Sequence, residues 1–433
     1  MEQKRVAFHT LGCKLNFSES SDLSRKFVEN GYQLVDFHET ADVYVINTCT
    51  VTALAEKKCR NAIRQASGRN PEAKVAVIGC FSQLKADELQ HMEGIDIILG
   101  NQEKHQLLEM LGHAPENQDE HCAYCHVDDI SKTHNFVPSF SSDDRTRSFL
   151  KIQDGCDYFC SYCAIPFARG RSRSNTIVET VETAKSVAAS GVKEVVLTGV
   201  NIGDFGKNNG ESFFGLIQEL EKLEGIERYR ISSIEPDLLS NEIIEFVAKS
   251  KKFLPHFHIP LQAAEDSLLK AMRRKYDTAL FASRVAKIKE VMPHACIAAD
   301  LIVGFPGETE GVFAKCIDFL ESIPISYLHV FTYSERPGTL ALKLNEKVPV
   351  NIRRDRSKIL HELSEKKKLS FYKENKGLTT MVLWESDEEE GMMSGFTENY
   401  VRVKRPFDSA RINQIETVEL TNPSQNGDYY IVG

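Results

Sequence analysis

Short apolar runs at residues 6–10, 42–47 and 74–79 read as strands, and residues 18–30 and 53–67 between them repeat apolar positions at helical spacing. This alternation predicts a parallel sheet with helices on its faces. The pattern resumes after a polar, turn-rich stretch. Strand candidates at 149–153, 194–198, 229–232, 256–260, 297–303 and 327–333 alternate with helical patterns such as 177–190 and 281–291. Six successive strand–helix units predict a partial (β/α)6 barrel, open on one side. Past residue 372 only short β-rich segments remain, at 379–384, 400–403, 417–420 and 429–432. They predict a small antiparallel barrel of the oligonucleotide-binding type. The expected division is an open parallel α/β domain over 1–112, a linker over 113–141, the barrel over 142–371 and the small β-barrel over 372–433.

Composition narrows the class. The chain has 433 residues, too many for one core. With 42% hydrophobic and 27% charged residues, no apolar run of membrane-spanning length and no signal-peptide pattern at the start, a cytoplasmic protein with no membrane partner is expected. Eleven cysteines in such a chain point to metal or redox chemistry. The net charge of −9 argues against a general coat on nucleic acid but leaves room for a local basic groove. Arg169, Arg171 and Arg173 form one basic cluster, expected to grip RNA phosphates. Arg353, Arg354, Arg356, Lys358 and Lys366 to Lys368 form another, which is either a solvated helix face or an RNA contact.

The strongest chemical signal is the C-x3-C-x2-C spacing of Cys156, Cys160 and Cys163, directly after the first barrel strand. Zinc sites usually pair C-x2-C motifs or add histidines, and no fourth cysteine or histidine lies within twenty residues of Cys163. Three thiolates suit a 4Fe-4S cluster with one iron left open to a small molecule. A second triad follows from topology: Cys13, Cys49 and Cys80 each lie just past the end of one N-terminal strand, the edge where open parallel sheets bind ligands. The competing reading is three unrelated core cysteines. Cys59, Cys296 and Cys316 read as packing residues. His121-Cys-Ala-Tyr-Cys-His126 holds a lone C-x2-C, Cys122 and Cys125, and reads as a plain loop.

An open-iron cluster at the mouth of a partial barrel resembles the radical S-adenosylmethionine (SAM) superfamily. There SAM chelates the bare iron, and one electron from the cluster yields a 5′-deoxyadenosyl radical. Over nearly its full length the chain is similar to the methylthiotransferases. The resemblance rests on Leu11-Gly-Cys-Lys-Leu-Asn16, Asn47-Thr-Cys-Thr-Val-Thr52, Gly79-Cys80, Gly199-Val-Asn-Ile-Gly-Asp-Phe-Gly206, Arg230-Ile-Ser-Ser-Ile-Glu-Pro236, His258-Ile-Pro-Leu-Gln262, Asp300-Leu-Ile-Val-Gly-Phe-Pro-Gly-Glu-Thr309 and His329-Val-Phe-Thr-Tyr-Ser334 with Gly338-Thr339. The C-terminal segment resembles the RNA-binding TRAM module of these enzymes. The first two motifs resemble the MtaB type, which acts on N6-threonylcarbamoyladenosine at position 37 of tRNA.

The resemblance implies two 4Fe-4S clusters. Cys156, Cys160 and Cys163 would hold the one that binds SAM. Cys13, Cys49 and Cys80 would hold an auxiliary one carrying the sulfur for the product. One SAM would methylate that sulfur and a second would activate carbon 2 of the adenine. Thr198, Gly199, Ser232, Glu235 and Gln262, near barrel strand ends, are the candidate SAM contacts; the alternative for each is a structural rim residue. The implied partners are the tRNA anticodon stem-loop and an electron donor such as a flavodoxin. Rival readings are a ribosomal-protein aspartate methylthiotransferase, an isopentenyladenosine-type tRNA enzyme and a non-catalytic iron–sulfur RNA-binding protein.

Overall fold

The computed structural model describes residues 3–113, 123–142 and 146–432. The chain forms two compact units that interleave in sequence. The first comprises residues 1–141, 149–174 and 334–342; the second comprises 142–148, 175–333 and 343–433.

The first unit is built on a parallel sheet. Its elements run β1 (Arg5–Thr10), α1 (Lys14–Glu29), β2 (Gln33–Val35), β3 (Val43–Thr48), α2 (Ala53–Arg69), β4 (Lys74–Gly79), α3 (Cys80–Gln90), β5 (Ile97–Leu99), α4 (Leu107–Met110) and β6 (Tyr124–His126). The strand order is β2-β1-β3-β4-β5-β6. Central strands β3 and β4 are buried at nearly every position because helices cover both faces. One face packs Tyr44, Ile46, Val75 and Val77 against Ile63 and Phe81, and the other packs Val45, Ala76 and Ile78 against Leu23 and Phe27. Cys125, expected in a plain loop, instead sits on edge strand β6, paired with Ile98. Cys122 and residues 115–120 lie outside the described residues. Two strands complete the run, β7 (Ser139–Phe140) and β8 (Arg147–Lys151), and β7 pairs antiparallel with β8 through Ser139 and Lys151. The short α5 (Ile165–Arg169) follows β8.

The second unit continues the strand–helix alternation with α6 (Ile177–Ala189), β9 (Glu194–Thr198), α7 (Phe213–Lys222), β10 (Arg228–Ile231), α8 (Asn241–Lys249), β11 (His256–Gln262), α9 (Asp266–Ala271), α10 (Thr278–Val291), β12 (Cys296–Val303), α11 (Glu310–Ser322) and β13 (Tyr327–Thr332). β9 and β10 pair in parallel, as do β11, β12 and β13, and a bridge between Ser233 and His258 links the two groups. With β8 preceding them in the chain, these are the six strands expected of a partial barrel. Helix starts are well marked. Thr176 and Glu179 form a reciprocal capping box on α6, each satisfying a backbone N–H that the helix leaves without a partner.

Helix α12 (Val350–Glu374) leads into a curled sheet of β14 (Thr379–Glu389), β15 (Met392–Thr397), β16 (Arg402–Pro406), β17 (Ile415–Glu419), β18 (Asn422–Pro423) and β19 (Tyr430–Ile431), in the order β17-β14-β15-β16-β19-β18. All its pairs are antiparallel except β16 with β19. Its core of Val382, Trp384, Met393, Val403 and Tyr430 is continuous with Phe371 and Tyr372 of α12 and with Cys296, which packs as expected. The basic run on α12 is not one solvated face. Arg353 and Arg356 are buried: Arg353 donates to the Val348 and Tyr333 carbonyls, and Arg356 pairs with Glu308.

Candidate functional site

Cys13, Cys49 and Cys80 sit at the C-terminal ends of three adjacent strands, as the topology predicts. Cys13 is the N-cap of α1, Cys49 follows the last residue of β3, and Cys80 opens α3 directly after β4. Two glycines let the loops close. A side chain at Gly12 (φ +108°) would meet Cys49 Cβ at 2.9 Å and Sγ at 3.1 Å. One at Gly79 (φ +100°) would meet Asn47 Oδ1 at 2.5 Å. Asn16 ties the first loop to the second by donating to the Leu11 carbonyl (2.7 Å) and the Thr48 carbonyl (2.9 Å). Asn101 donates to Cys80 Sγ (3.5 Å) and to the Ala168 carbonyl (2.7 Å).

Protein packed around its sulfur raises the Cys13 thiol although the residue itself is exposed, with Arg169 opposing the shift and Cys80 adding to it. Burial and then the Cys80 charge push Cys49 up to about 12. Cys49 and Cys80 are buried, and the Cys80 charge opposes ionisation of both other thiols. A metal must displace their protons. Loading this pocket with ferrous iron is expected to release protons and to weaken as pH falls. Calorimetry in two buffers of different ionisation enthalpy measures this, and a buffer-independent heat would contradict it. Cys59, expected as a packing residue, is fully buried and also adjoins the site. Its thiol donates to the Cys49 carbonyl (3.5 Å) and accepts from the Cys49 N–H (3.4 Å).

The second triad lies on the loop between β8 and α5. Its base is clamped by paired backbone bonds between Asp154 and Arg173 (2.9 Å each way) and by Cys156 N–H on the Gly170 carbonyl (3.0 Å). Gly155 (φ +72°) passes so close to the Arg171 carbonyl oxygen that a Cβ would lie 1.9 Å from it. Within the loop, Tyr158 N–H donates to Cys156 Sγ (3.5 Å) and Ile165 N–H to Cys163 Sγ (3.4 Å). Such N–H···S bonds stabilise negative charge on ligating sulfurs and tune cluster potentials.

Beside both triads lies a buried ionic network that local motif reading missed. Glu19 pairs with Lys104 (2.6 Å), Lys151 (2.8 Å) and Arg169 (3.1 Å); Asp154 pairs with Lys151 (2.8 Å), Arg169 (3.0 Å) and Arg173 (3.2 Å). Burial raises both carboxyls, but the surrounding cations outweigh it. Arg169 first, then Lys104 and Lys151, hold Glu19 well below the usual carboxylate range, and Lys151, Arg169 and Arg173 do the same for Asp154. Four cations face two carboxylates, and Arg169 feels the charge of Cys80 and Cys13. Net positive charge suits anionic thiolate-bound clusters. The expectation that Arg169 and Arg173 grip RNA phosphates is therefore overturned, because both are buried in ion pairs. Only Arg171 is exposed, with Asp157 at 3.6 Å. Arg336 was also missed. It is buried, bonds Thr50 Oγ1 (2.9 Å) and pairs with Glu56, close behind Cys49.

Both triads thus fit the group their donor chemistry implies. Each offers three thiols without a fourth in its motif, with N–H donors or buried cations to accept the resulting negative charge.

In the second unit, Thr198 and Ser232 close neighbouring strand ends, where Ser232 N–H donates to the Leu197 carbonyl (3.3 Å) and Gly199 follows Thr198. Gln262 ends β11 at a bulge, with φ +65°. Glu235 is ion-paired with the buried Arg274; burial raises its carboxyl and Arg274 pulls the other way.

Residues 150–320 match the model of the Radical SAM superfamily, and residues 5–100 match that of Uncharacterized protein family UPF0004. Among solved structures, a radical SAM methyltransferase, TsrM, from Kitasatospora setae shares the fold over 100% of this chain and 87% of its own, with TM-score 0.56 and 14% identity. The family match places a radical SAM domain at residues 150–320. It is 41% identical over 425 residues (96% of this chain, 93% of the relative) to a Bacillus subtilis (strain 168) protein named threonylcarbamoyladenosine tRNA methylthiotransferase MtaB. An Aquifex aeolicus (strain VF5) protein of the same name is 40% identical (93% of this chain, 96% of the relative). A Fusobacterium nucleatum protein named tRNA-2-methylthio-N(6)-dimethylallyladenosine synthase is 32% identical (96% and 99%). The chain belongs to the MtaB type of the radical SAM methylthiotransferase family.

Proposed function

We propose that this enzyme transfers a methylthio group to carbon 2 of N6-threonylcarbamoyladenosine at position 37 of tRNA, using two 4Fe-4S clusters and two SAM molecules. The observation that carries this reading is the presence of two three-cysteine sites in one compact unit, beside a shared cationic network. Cys156, Cys160 and Cys163 hold the cluster that binds SAM, and Cys13, Cys49 and Cys80 hold the auxiliary cluster. When bound, an open-iron cluster and SAM supply one-electron chemistry able to attack an aromatic, non-acidic C–H bond. The chain's own part is to hold and shield. The backbone N–H groups of Tyr158 and Ile165 stabilise thiolate charge, Arg169 and Lys104 neutralise the pocket, and Asn101 fixes Cys80.

Thr198, Gly199, Ser232 and Gln262 at strand ends are the SAM contacts in this reading. Glu235 acts through Arg274, with which it is paired. Residues 1–112 carry the auxiliary site, 142–371 the radical SAM core and 372–433 the RNA-binding sheet, on which the anticodon stem-loop docks. A flavodoxin-type donor supplies electrons in the cytoplasm. No helix among the described residues is long and apolar enough to cross a membrane.

Deleting the gene is expected to remove 2-methylthio-N6-threonylcarbamoyladenosine from total tRNA digests by mass spectrometry and leave the unmethylthiolated nucleoside in its place. Persistence of the methylthio nucleoside in the deletion strain would refute the substrate. Loss of an aspartate methylthiolation on a ribosomal protein instead would transfer the reading to the rival reaction.

A further inference from the structure

Residues 334–342 follow β13 in the chain but belong to the first unit. Burial alternates along this strap. Arg336, Thr339 and Ala341 are buried, while Glu335, Pro337, Gly338 and Leu340 are exposed. Ser334 Oγ accepts from the Ala53 N–H (3.3 Å), four residues past Cys49. Ala341 N–H donates to the Ser161 carbonyl (2.7 Å), between Cys160 and Cys163. The strap is thus fastened beside one cysteine of each triad. Between these fastenings Thr339 donates to the Arg336 carbonyl through its N–H (3.2 Å) and its Oγ1 (2.7 Å), with Gly338 at φ +81° making the turn. The turn sets the Arg336 guanidinium against the residues that follow Cys49. Nη2 donates to Thr50 Oγ1 (2.9 Å) and pairs with Glu56, whose Oε1 also accepts from Thr50 Oγ1 (2.7 Å). Arg336 is 5% exposed, yet its Nε–H is buried without a hydrogen-bond partner among the described residues. Such an unmade donor costs about 1–3 kcal/mol, and native structures rarely keep one unless a redox group, ion or water completes it. Burial holds the guanidinium below its usual pKa and the Cys49 charge opposes this, which sets the two within electrostatic reach. Arg169 stands in the same relation to Cys80 and Cys13.

We infer that Arg336 is a positioning residue for the auxiliary cluster: its Nε–H donates a charge-assisted hydrogen bond to a cluster sulfur on the Cys49 side and raises the cluster's reduction potential. The inference rests on the two-cluster reading proposed above and adds what tunes the second cluster. A cluster held by three thiolates is anionic, and reduction adds to that charge. N–H donors on its sulfurs and cations beside it therefore favour the reduced form. Asn101 gives Cys80 a neutral donor, and Arg336 gives Cys49 a charged one. Guanidinium suits this task better than ammonium. Its donors form a rigid fork, so Nη2 holds Thr50 and Glu56 while Nε points elsewhere. Glu56 does not cancel the cation outright, because it is shared with Arg60 at 3.8 Å. The far fastening at Ser161 has its own effect. It makes the place of the donor depend on the loop of the other triad as well as on the segment after Cys49.

The test uses the full-length chain carrying Cys156→Ala, Cys160→Ala and Cys163→Ala, reconstituted anaerobically with iron and sulfide. The auxiliary cluster then gives the only iron–sulfur signal. Titration with dithionite, followed by electron paramagnetic resonance, reads its midpoint potential, and iron analysis shows that each chain is loaded. Adding Arg336→Met is expected to shift the reduction equilibrium about tenfold against the reduced cluster, a fall of about 59 mV for a one-electron couple. Arg336→Lys keeps a cation for Glu56 but not the Nε donor. It is expected to hold as much iron as its parent and to lower the potential by a smaller step. Arg60→Met removes the other cation on Glu56 and is expected to leave the potential unchanged. If the Arg336→Met chain does not fold, Arg336→Lys carries the test alone. An unmoved potential in the loaded Arg336 variants, or an equal fall in Arg60→Met, would overturn the inference and leave the two-cluster reading intact. A parent chain that holds no iron overturns the two-cluster reading, and the inference falls with it.

Discussion

Replacing Cys156, Cys160 and Cys163 together with alanine is expected to cut bound iron from about eight atoms per chain to about four, one four-iron cluster in place of two. Formation of 5′-deoxyadenosine should stop. The prediction is this sharp because the triad is self-contained. All three cysteines lie on one loop whose base is clamped by Asp154, Arg173 and Gly170 backbone bonds that the substitution does not touch. The loop should therefore keep its shape while losing its donors. The reciprocal variant, Cys13, Cys49 and Cys80 to alanine, should also lose about four irons. It should retain reductive cleavage of SAM while yielding no methylthio product. Iron and sulfide analysis with chromatography of SAM products separates the cases. Iron content unchanged in the first variant would sink the assignment of that triad.

Arg169→Met is expected to destabilise the enzyme by about 3–5 kcal/mol, the cost of breaking a buried ion pair by removing one partner. The guanidinium sits between Glu19 and Asp154 and also donates to Asn16 Oδ1 at 2.6 Å, so its loss takes one cation from each carboxylate, leaving Glu19 to Lys104 and Lys151 and Asp154 to Lys151 and Arg173, and takes a donor from one amide. Arg169→Lys should recover little, because a point charge cannot span three acceptors. Arg171→Ala, at an exposed position, should change stability by no more than about 0.5 kcal/mol. Urea midpoints read all three, and equal midpoints for Arg169→Met and Arg171→Ala would contradict the network's role. The same pairs set an acid limit. Glu19 and Asp154 have native pKa values below their unfolded ones. Their contribution is fully present above the unfolded value of about 4 and is lost as pH falls toward the native values.

What could be read from the sequence followed the length of each signal. Strands β3, β4, β9 and β12 are nearly continuous apolar runs and were placed within a residue or two. Strands β2 and β5, with three residues each, carry no period. Strand β15, Met-Met-Ser-Gly-Phe-Thr, breaks alternation because Gly395 must admit Trp384 and Val382 at close range. The cysteine triads were legible because one is a tight local spacing and the other repeats at strand ends. Arg169 and Arg173 were misread because a run of arginines looks solvated when its partners are distant in sequence; Glu19 is 150 residues away. Arg336 was hidden for the same reason, since only the fold brings it beside Thr50 and Glu56.

The interleaving of the first unit has a consequence for synthesis. When the last residue of its N-terminal sheet leaves the ribosome, Glu19 has Lys104 as its counter-charge but still lacks Lys151 and Arg169. Arg336, behind Cys49, emerges later still. The first pocket to be translated is thus among the last to be finished. The pocket at Cys49 gains its last buried partner, Arg336, only after more than two hundred further residues have been added.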